Sequence, residues 1–182
     1  VAGVEGESPL RELAAMGGTP DTSNPKRHFK IVTGTELHLV YLKLTGGKVW
    51  SSTGGLPSTY GGSILVDGVG AKLEVLSVLF AGCGDTVLCA YNGGAIVASG
   101  GATVNVTQST FESCSAKFGG GAIWAYGSNT NVYISSVAFK KNQVNDYGGA
   151  LWFTLDVKIR LLGGKNKFVG NLATTNGNSI YI

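Results

Sequence analysis

Residues 139–153 read FKKNQVNDYGGALWF, and the recurrence of this stretch decides the fold. It holds a Phe139-x-x-Asn142 step, a spacer, and Gly148-Gly149-Ala150-Leu151 running into a strand-like triplet. One anchor series is Leu44, Phe80, Phe111, Phe139 and Phe168, at steps of 36, 31, 28 and 29 residues. A second is Ile64, Ile96, Ile123, Leu151 and Ile180, at steps of 32, 27, 28 and 29. Two independent anchors drifting together indicate an internal repeat, hence a solenoid, a propeller or an array.

The contents of one repeat choose among these. Seven and five residues before each anchor sit the apolar pairs Leu37/Leu39, Leu73/Val75, Val104/Val106 and Val132/Ile134, with Ile159/Leu161 offset by two in the last repeat. After each Gly-Gly comes a second short alternating strand, such as Ile96/Ala98 or Leu151/Phe153. Short strands joined by Gly, Asn and Ser turns, with no helical period, fit one turn of a parallel β-helix; a propeller blade needs about 40 residues and four strands. The reading is therefore all-β: a right-handed single-stranded parallel β-helix of about five coils over residues 28–182. Equivalent positions then stack about 4.8 Å apart and the anchors become interior columns.

Residues 1–27 differ and are assigned to an N-terminal capping or linking segment. Ser8-Pro9, then Leu10, Leu13 and Ala14, closed by Gly17-Gly18, predict a short helix with Ser8 as N-cap.

Composition agrees with a packed domain. Glycine makes up 29 of 182 residues, well above the usual ~7%, without the collagen period. No apolar run approaches the roughly 18–20 residues of a membrane span. The chain begins at Val1 without an initiator Met, as expected of a processed chain or a fragment. A net charge of +3 is too small and scattered for nucleic acid, but its distribution is polar. Residues 1–21 carry Glu5, Glu7, Glu12 and Asp21 against Arg11, while residues 140–182 carry six bases against Asp146 and Asp156.

Gly-Gly-Ala-Ile at 93–96 and 120–123, Gly-Gly-Ala-Leu at 148–151 and Phe-x-x-Asn at 139–142 and 168–171 resemble the repeat of chlamydial polymorphic outer-membrane proteins. The same repeat is found in secreted pectin-lyase-like β-helix proteins of protists and algae. The resemblance covers roughly residues 28–182 and implies a β-helix with a surface or secreted location. This chain departs from it at Cys83 and Cys114, which replace the Asn, and at Ser63, which replaces the Ala.

Enzymes of that resemblance imply clustered acids around calcium, or a polysaccharide lyase or hydrolase chemistry. Placed on the repeat, no column holds two carboxylates, short of a calcium site or a hydrolytic pair. No catalytic residue, metal ligand or cofactor is assigned. His38 lies between inward Leu37 and Leu39 and faces solvent. Cys83 and Cys114 fall at the same position of adjacent coils, within disulfide reach; a Cys83–Cys89 bridge and a buried thiol ladder are the alternatives. Asn105-Val106-Thr107 is an outward-facing N-glycosylation sequon.

Leu65, Val97, Trp124, Trp152 and Tyr181 fall on the outward side of the strand after Gly-Gly. The last three predict an aromatic strip that another subunit, a glycan, the N-terminal segment or the Trp50–Tyr60 loop covers. Ile180 and Ile182 lie at an open strand end, where a second copy or another surface protein would stack. The functional expectation is a non-catalytic extracellular building block of a glycosylated fibre or coat, with a sugar-binding adhesin as the alternative.

Overall fold

The structure is a computed structural model, and it describes residues 11–14, 27–49, 60–84, 91–154, 156–163 and 165–182. Among the described residues all twenty elements are strands, and they follow one another round a coil. β1 (Arg11–Ala14) precedes a first coil of β2 (Phe29–Ile31), β3 (Glu36–Val40) and β4 (Leu42–Thr45). The next holds β5 (Ile64–Asp67), β6 (Lys72–Leu76) and β7 (Leu79–Ala81). Then come β8 (Ile96–Ser99), β9 (Thr103–Thr107), β10 (Thr110–Glu112) and the short β11 (Ser115–Ala116). The fourth coil contains β12 (Ile123–Ala125), β13 (Asn131–Ser135), β14 (Ala138–Lys140) and β15 (Gln143–Val144). The last contains β16 (Leu151–Phe153), β17 (Lys158–Leu162), β18 (Lys167–Val169) and β19 (Leu172–Ala173), and β20 (Ile180–Tyr181) opens a further turn.

Every ladder between these strands is parallel and joins equivalent strands of successive coils, so the chain is a parallel β-helix. The phenylalanine sheet runs β1-β4-β7-β10-β14-β18, the glycine-corner sheet β2-β5-β8-β12-β16-β20, and the middle sheet β3-β6-β9-β13-β17. From β3 to β17 the chain completes four turns. Both anchor series are columns of partners: Leu44↔Phe80↔Phe111↔Phe139↔Phe168 and Ile64↔Ile96↔Ile123↔Leu151↔Ile180.

Stacking by register explains the core. The rings of Phe80, Phe111, Phe139 and Phe168 lie nearly parallel at centroid separations of 4.5, 5.1 and 4.9 Å. Ile64, Ile96, Ile123 and Leu151 are fully buried opposite them. Each such side chain contributes about 1.5–3 kcal/mol on leaving water. At the glycine corner the two glycines have different duties. Gly120 and Gly148 take left-handed φ values of 61° and 64°. Their followers, Gly121 and Gly149, have no room for a Cβ, which would run into the carbonyl oxygens of Gly149 and Asn178 in the next coil.

The helix expected over Ser8–Gly17 is corrected at its centre. Arg11–Ala14 is a strand whose Leu13 pairs with Leu44, extending the anchor column by one position. An isolated helix of two or three turns is marginal in water, whereas the open edge of β4 offers a ready ladder. The remainder of that expected helix lies outside the described residues. The Ile159/Leu161 pair does occupy the inward column, yet Leu161 is exposed because no coil of the described structure lies beyond it.

Candidate functional site

Four surfaces carry the residues singled out from the sequence. The first is the ladder three residues after each anchor. Asn142 and Asn171 are buried, and Asn142 donates from Nδ2 to the Phe111 carbonyl at 3.1 Å and to Asn171 Oδ1 at 3.0 Å. Asn142 Oδ1 accepts from the Cys114 backbone N–H at 3.0 Å, and Asn171 Nδ2 donates to the Phe139 carbonyl at 3.0 Å. Cys83 and Cys114 continue the column as buried free thiols, so no disulfide joins them. The Cys114 thiol reaches the Phe80 carbonyl at 3.6 Å, and burial pushes its pKa well above the ordinary thiol range. Ser63 donates from Oγ to Cys83 Sγ at 2.9 Å, so two departures from the repeat meet each other. Cys89, and with it the Cys83–Cys89 bridge, lies outside the described residues.

The second surface is the outward side of the glycine-corner sheet. Leu65, Val97, Trp124, Trp152 and Tyr181 do fall in one column, and the Trp124 and Trp152 rings stack at 5.5 Å. The column is not an open strip, however. Leu65, Val97 and Trp124 are buried, and they form a second apolar cluster with Tyr60, Tyr126 and Trp152. Tyr60 sets its ring edge-on to Trp124 at 4.9 Å, and Tyr126 stacks on the same indole at 4.2 Å. Burial is the main cause of the raised Tyr60 pKa, followed by the neighbouring Tyr126 and Tyr91 phenols. Trp124 Nε1 is buried without a hydrogen-bond partner. Trp152 lies against Gly119, where a Cβ would strike its ring. Half-exposed Tyr181 stacks on Tyr147 at 4.8 Å. The column is thus covered at Trp124, in part by Tyr60 at the end of the Trp50–Tyr60 loop, while Trp152 and Tyr181 are half open.

The third surface is the outer face of the middle sheet, where the alternation places Asn105 beside Glu74 and Tyr133. Asn105 is half-buried, and its Nδ2 donates to Glu74 Oε1 at 2.6 Å. Asn105 and Thr107 both line a shallow groove of about 460 Å³ together with Tyr133 and Ser135. Exposed His38 sits with Nε2 2.8 Å from Glu36 Oε1. Lys72 Nζ joins Glu36 at 2.8 Å and Glu74 at 2.9 Å, which brings two carboxylates onto one lysine. A column-by-column reading missed this, because Glu36 and Glu74 are diagonal neighbours two positions apart. The Glu36-x-His38 and Lys72-x-Glu74 alternation carried the signal. The hydrogen bond from Lys72 lowers the Glu36 pKa, and hydrogen bonds to Glu36 and Glu74 raise that of Lys72. Among the described residues no group of three or more His, Cys, Asp or Glu gathers to hold a metal ion.

The fourth surface is formed by the strand edges. The last coil exposes Leu161, Leu162, Val169 and Leu172, and Ile182 beyond it is 67% exposed, while Ile180 is half-buried. At the opposite edge Val32, Val40 and Tyr41 are exposed. Compared with family models, characterised proteins and solved structures, the chain matches none of them.

Proposed function

We propose that this chain is a non-catalytic extracellular building block, a β-helix that stacks end to end with further copies into a glycosylated fibre or surface coat. The observation that carries the reading is the pair of open sheet edges with exposed apolar side chains. β17, β18 and β20 present unpaired backbone at one end of the described structure, and β2 and β3 at the other. Such edges add strands readily, and a head-to-tail contact that does not close gives a filament. The acidic balance of residues 1–21 and the basic balance of residues 140–182 favour that polarity. The resemblance of the Gly-Gly-Ala and Phe-x-x-Asn repeat to chlamydial surface proteins and pectin-lyase-like secreted proteins supports the extracellular setting. Asn105 and Thr107, side by side on an outward face, support N-glycosylation.

Non-catalytic character is supported by the chemistry of the carboxylates that meet at Lys72. Glu36 and Glu74 share Lys72, whose hydrogen bond holds the Glu36 carboxyl below its usual range, so Glu36 is not a protonated acid ready to donate at neutral pH. Sedimentation velocity over a range of concentrations tests the assembly. Growth without a fixed end-point is expected, weakened by salt and abolished when Leu161 and Leu162 are both changed to Lys. A monomer at every concentration, or equal growth of the double variant, would refute it.

A second reading, a carbohydrate-binding β-helix, draws on half-exposed Trp152, Tyr147 and Tyr181. It predicts that Trp152→Ala removes glycan retention on an array and leaves sedimentation unchanged.

A further inference from the structure

At the corner between the middle sheet and the phenylalanine sheet, three successive coils each contribute one triplet to a common groove. These are Gln108-Ser109-Thr110, Ser136-Val137-Ala138 and Lys165-Asn166-Lys167, which together line about 590 Å³. The groove runs along the solenoid axis, since Thr110, Ala138 and Lys167 are partners in one ladder. Its coil-to-coil step is about 4.8 Å, close to the length of one pyranose unit in an extended chain.

Its chemistry is graded along that axis. One end offers the Gln108 amide and the Thr110 and Ser136 hydroxyls, and the other offers the exposed ammonium groups of Lys165 and Lys167. Between the lysines Asn166 is fixed: its Oδ1 accepts from the Val137 N–H at 2.9 Å and its Nδ2 donates to the Leu162 carbonyl at 3.2 Å. The two lysines therefore leave a backbone held in place. No carboxylate lines the groove, and neither lysine has an ion pair among the described residues. Lys140, Lys141, Lys158 and Arg160 of the same coils are exposed but do not line the groove, and the acid of the neighbouring strand, Glu112, stands opposite Lys140 outside it.

We propose that this corner groove binds a sulfated saccharide, with sulfate esters on Lys165 and Lys167 and sugar hydroxyls on Gln108, Thr110 and Ser136. Lysine is a compact point charge suited to a tetrahedral oxyanion, whereas planar carboxylates are recognised best by the arginine fork, which the groove lacks. The site is separate from the aromatic column and from the strand edges, and it stands whether or not copies stack.

Isothermal titration with a size-defined dextran sulfate oligosaccharide tests it, against neutral dextran, oligogalacturonate and single-stranded DNA of matched charge. Binding of the sulfated probe is expected to weaken roughly tenfold for each lysine contact removed, read in a Lys165→Ser/Lys167→Ser variant. A Lys140→Ser/Lys141→Ser variant loses the same charge outside the groove and should retain most of the affinity. Both pairs are exposed, so unchanged thermal unfolding is expected of each. No binding, equal loss in the two variants, or equally tight oligogalacturonate or DNA would overturn the proposal.

Discussion

The upper and lower halves of the buried ladder solve one problem with different chemistry. In the lower half Asn142 and Asn171 donate to carbonyls of the preceding coil and accept from its backbone, so every coil is tied to the next by side-chain amides. In the upper half Cys83 and Cys114 fill the same column with small thiols that make only long contacts to carbonyls, and Ser63 supplies the one short hydrogen bond. A buried amide is favourable only while all its partners remain, whereas a thiol behaves as a small hydrophobe that asks for little. The comparison teaches that the corner requires a side chain of limited size, and that its polarity is set by what the adjacent coil offers.

Three substitutions break or sharpen this contrast. The largest effect is expected from Asn142→Leu, which orphans the Cys114 N–H and the Phe111 carbonyl. At about 1–3 kcal/mol for each unsatisfied buried group, denaturant unfolding should show a loss of about 3 kcal/mol or more. Next comes Cys114→Asn, which carries the amide ladder one coil upward. The Phe80 carbonyl and Asn142 Oδ1 already stand where the new amide would donate, so stability should change by less than about 1 kcal/mol. A loss as large as that of Asn142→Leu would show that the upper half tolerates only apolar side chains.

The smallest effect is a pH dependence. The folded-state pKa of Cys114 is raised by burial, so the stability it contributes is whole below the unfolded thiol value of about 8.5. It is then lost as pH rises from there towards the folded value, because the unfolded chain releases the proton first. Unfolding midpoints of the parent should fall above that pH, and Cys114→Ala should flatten the decline.

The same contrast shows what a sequence of this kind makes legible. The columns could be read directly, because each anchor recurs once per coil and the register is set by which residues face inward. Leu13 and Ala14 fit a helical face as well as a strand, and only the edge of β4 decides between them. Trp124 is outward by register, and its cover includes Tyr60, which ends the Trp50–Tyr60 loop and stands just before the Gly61-Gly62 corner. The Lys72 bridge required comparison of diagonal neighbours, and the corner groove carries no motif at all. Ser63 and Cys83 each looked like an isolated departure, and their contact is visible only once the coils are stacked.

Electron micrographs of the native material, with diffraction from aligned specimens, test the central claim most directly. The account predicts unbranched filaments one solenoid wide, with a meridional spacing of about 4.8 Å from strands lying across the axis. Dispersed single particles, or a strand spacing perpendicular to the filament axis, would contradict it.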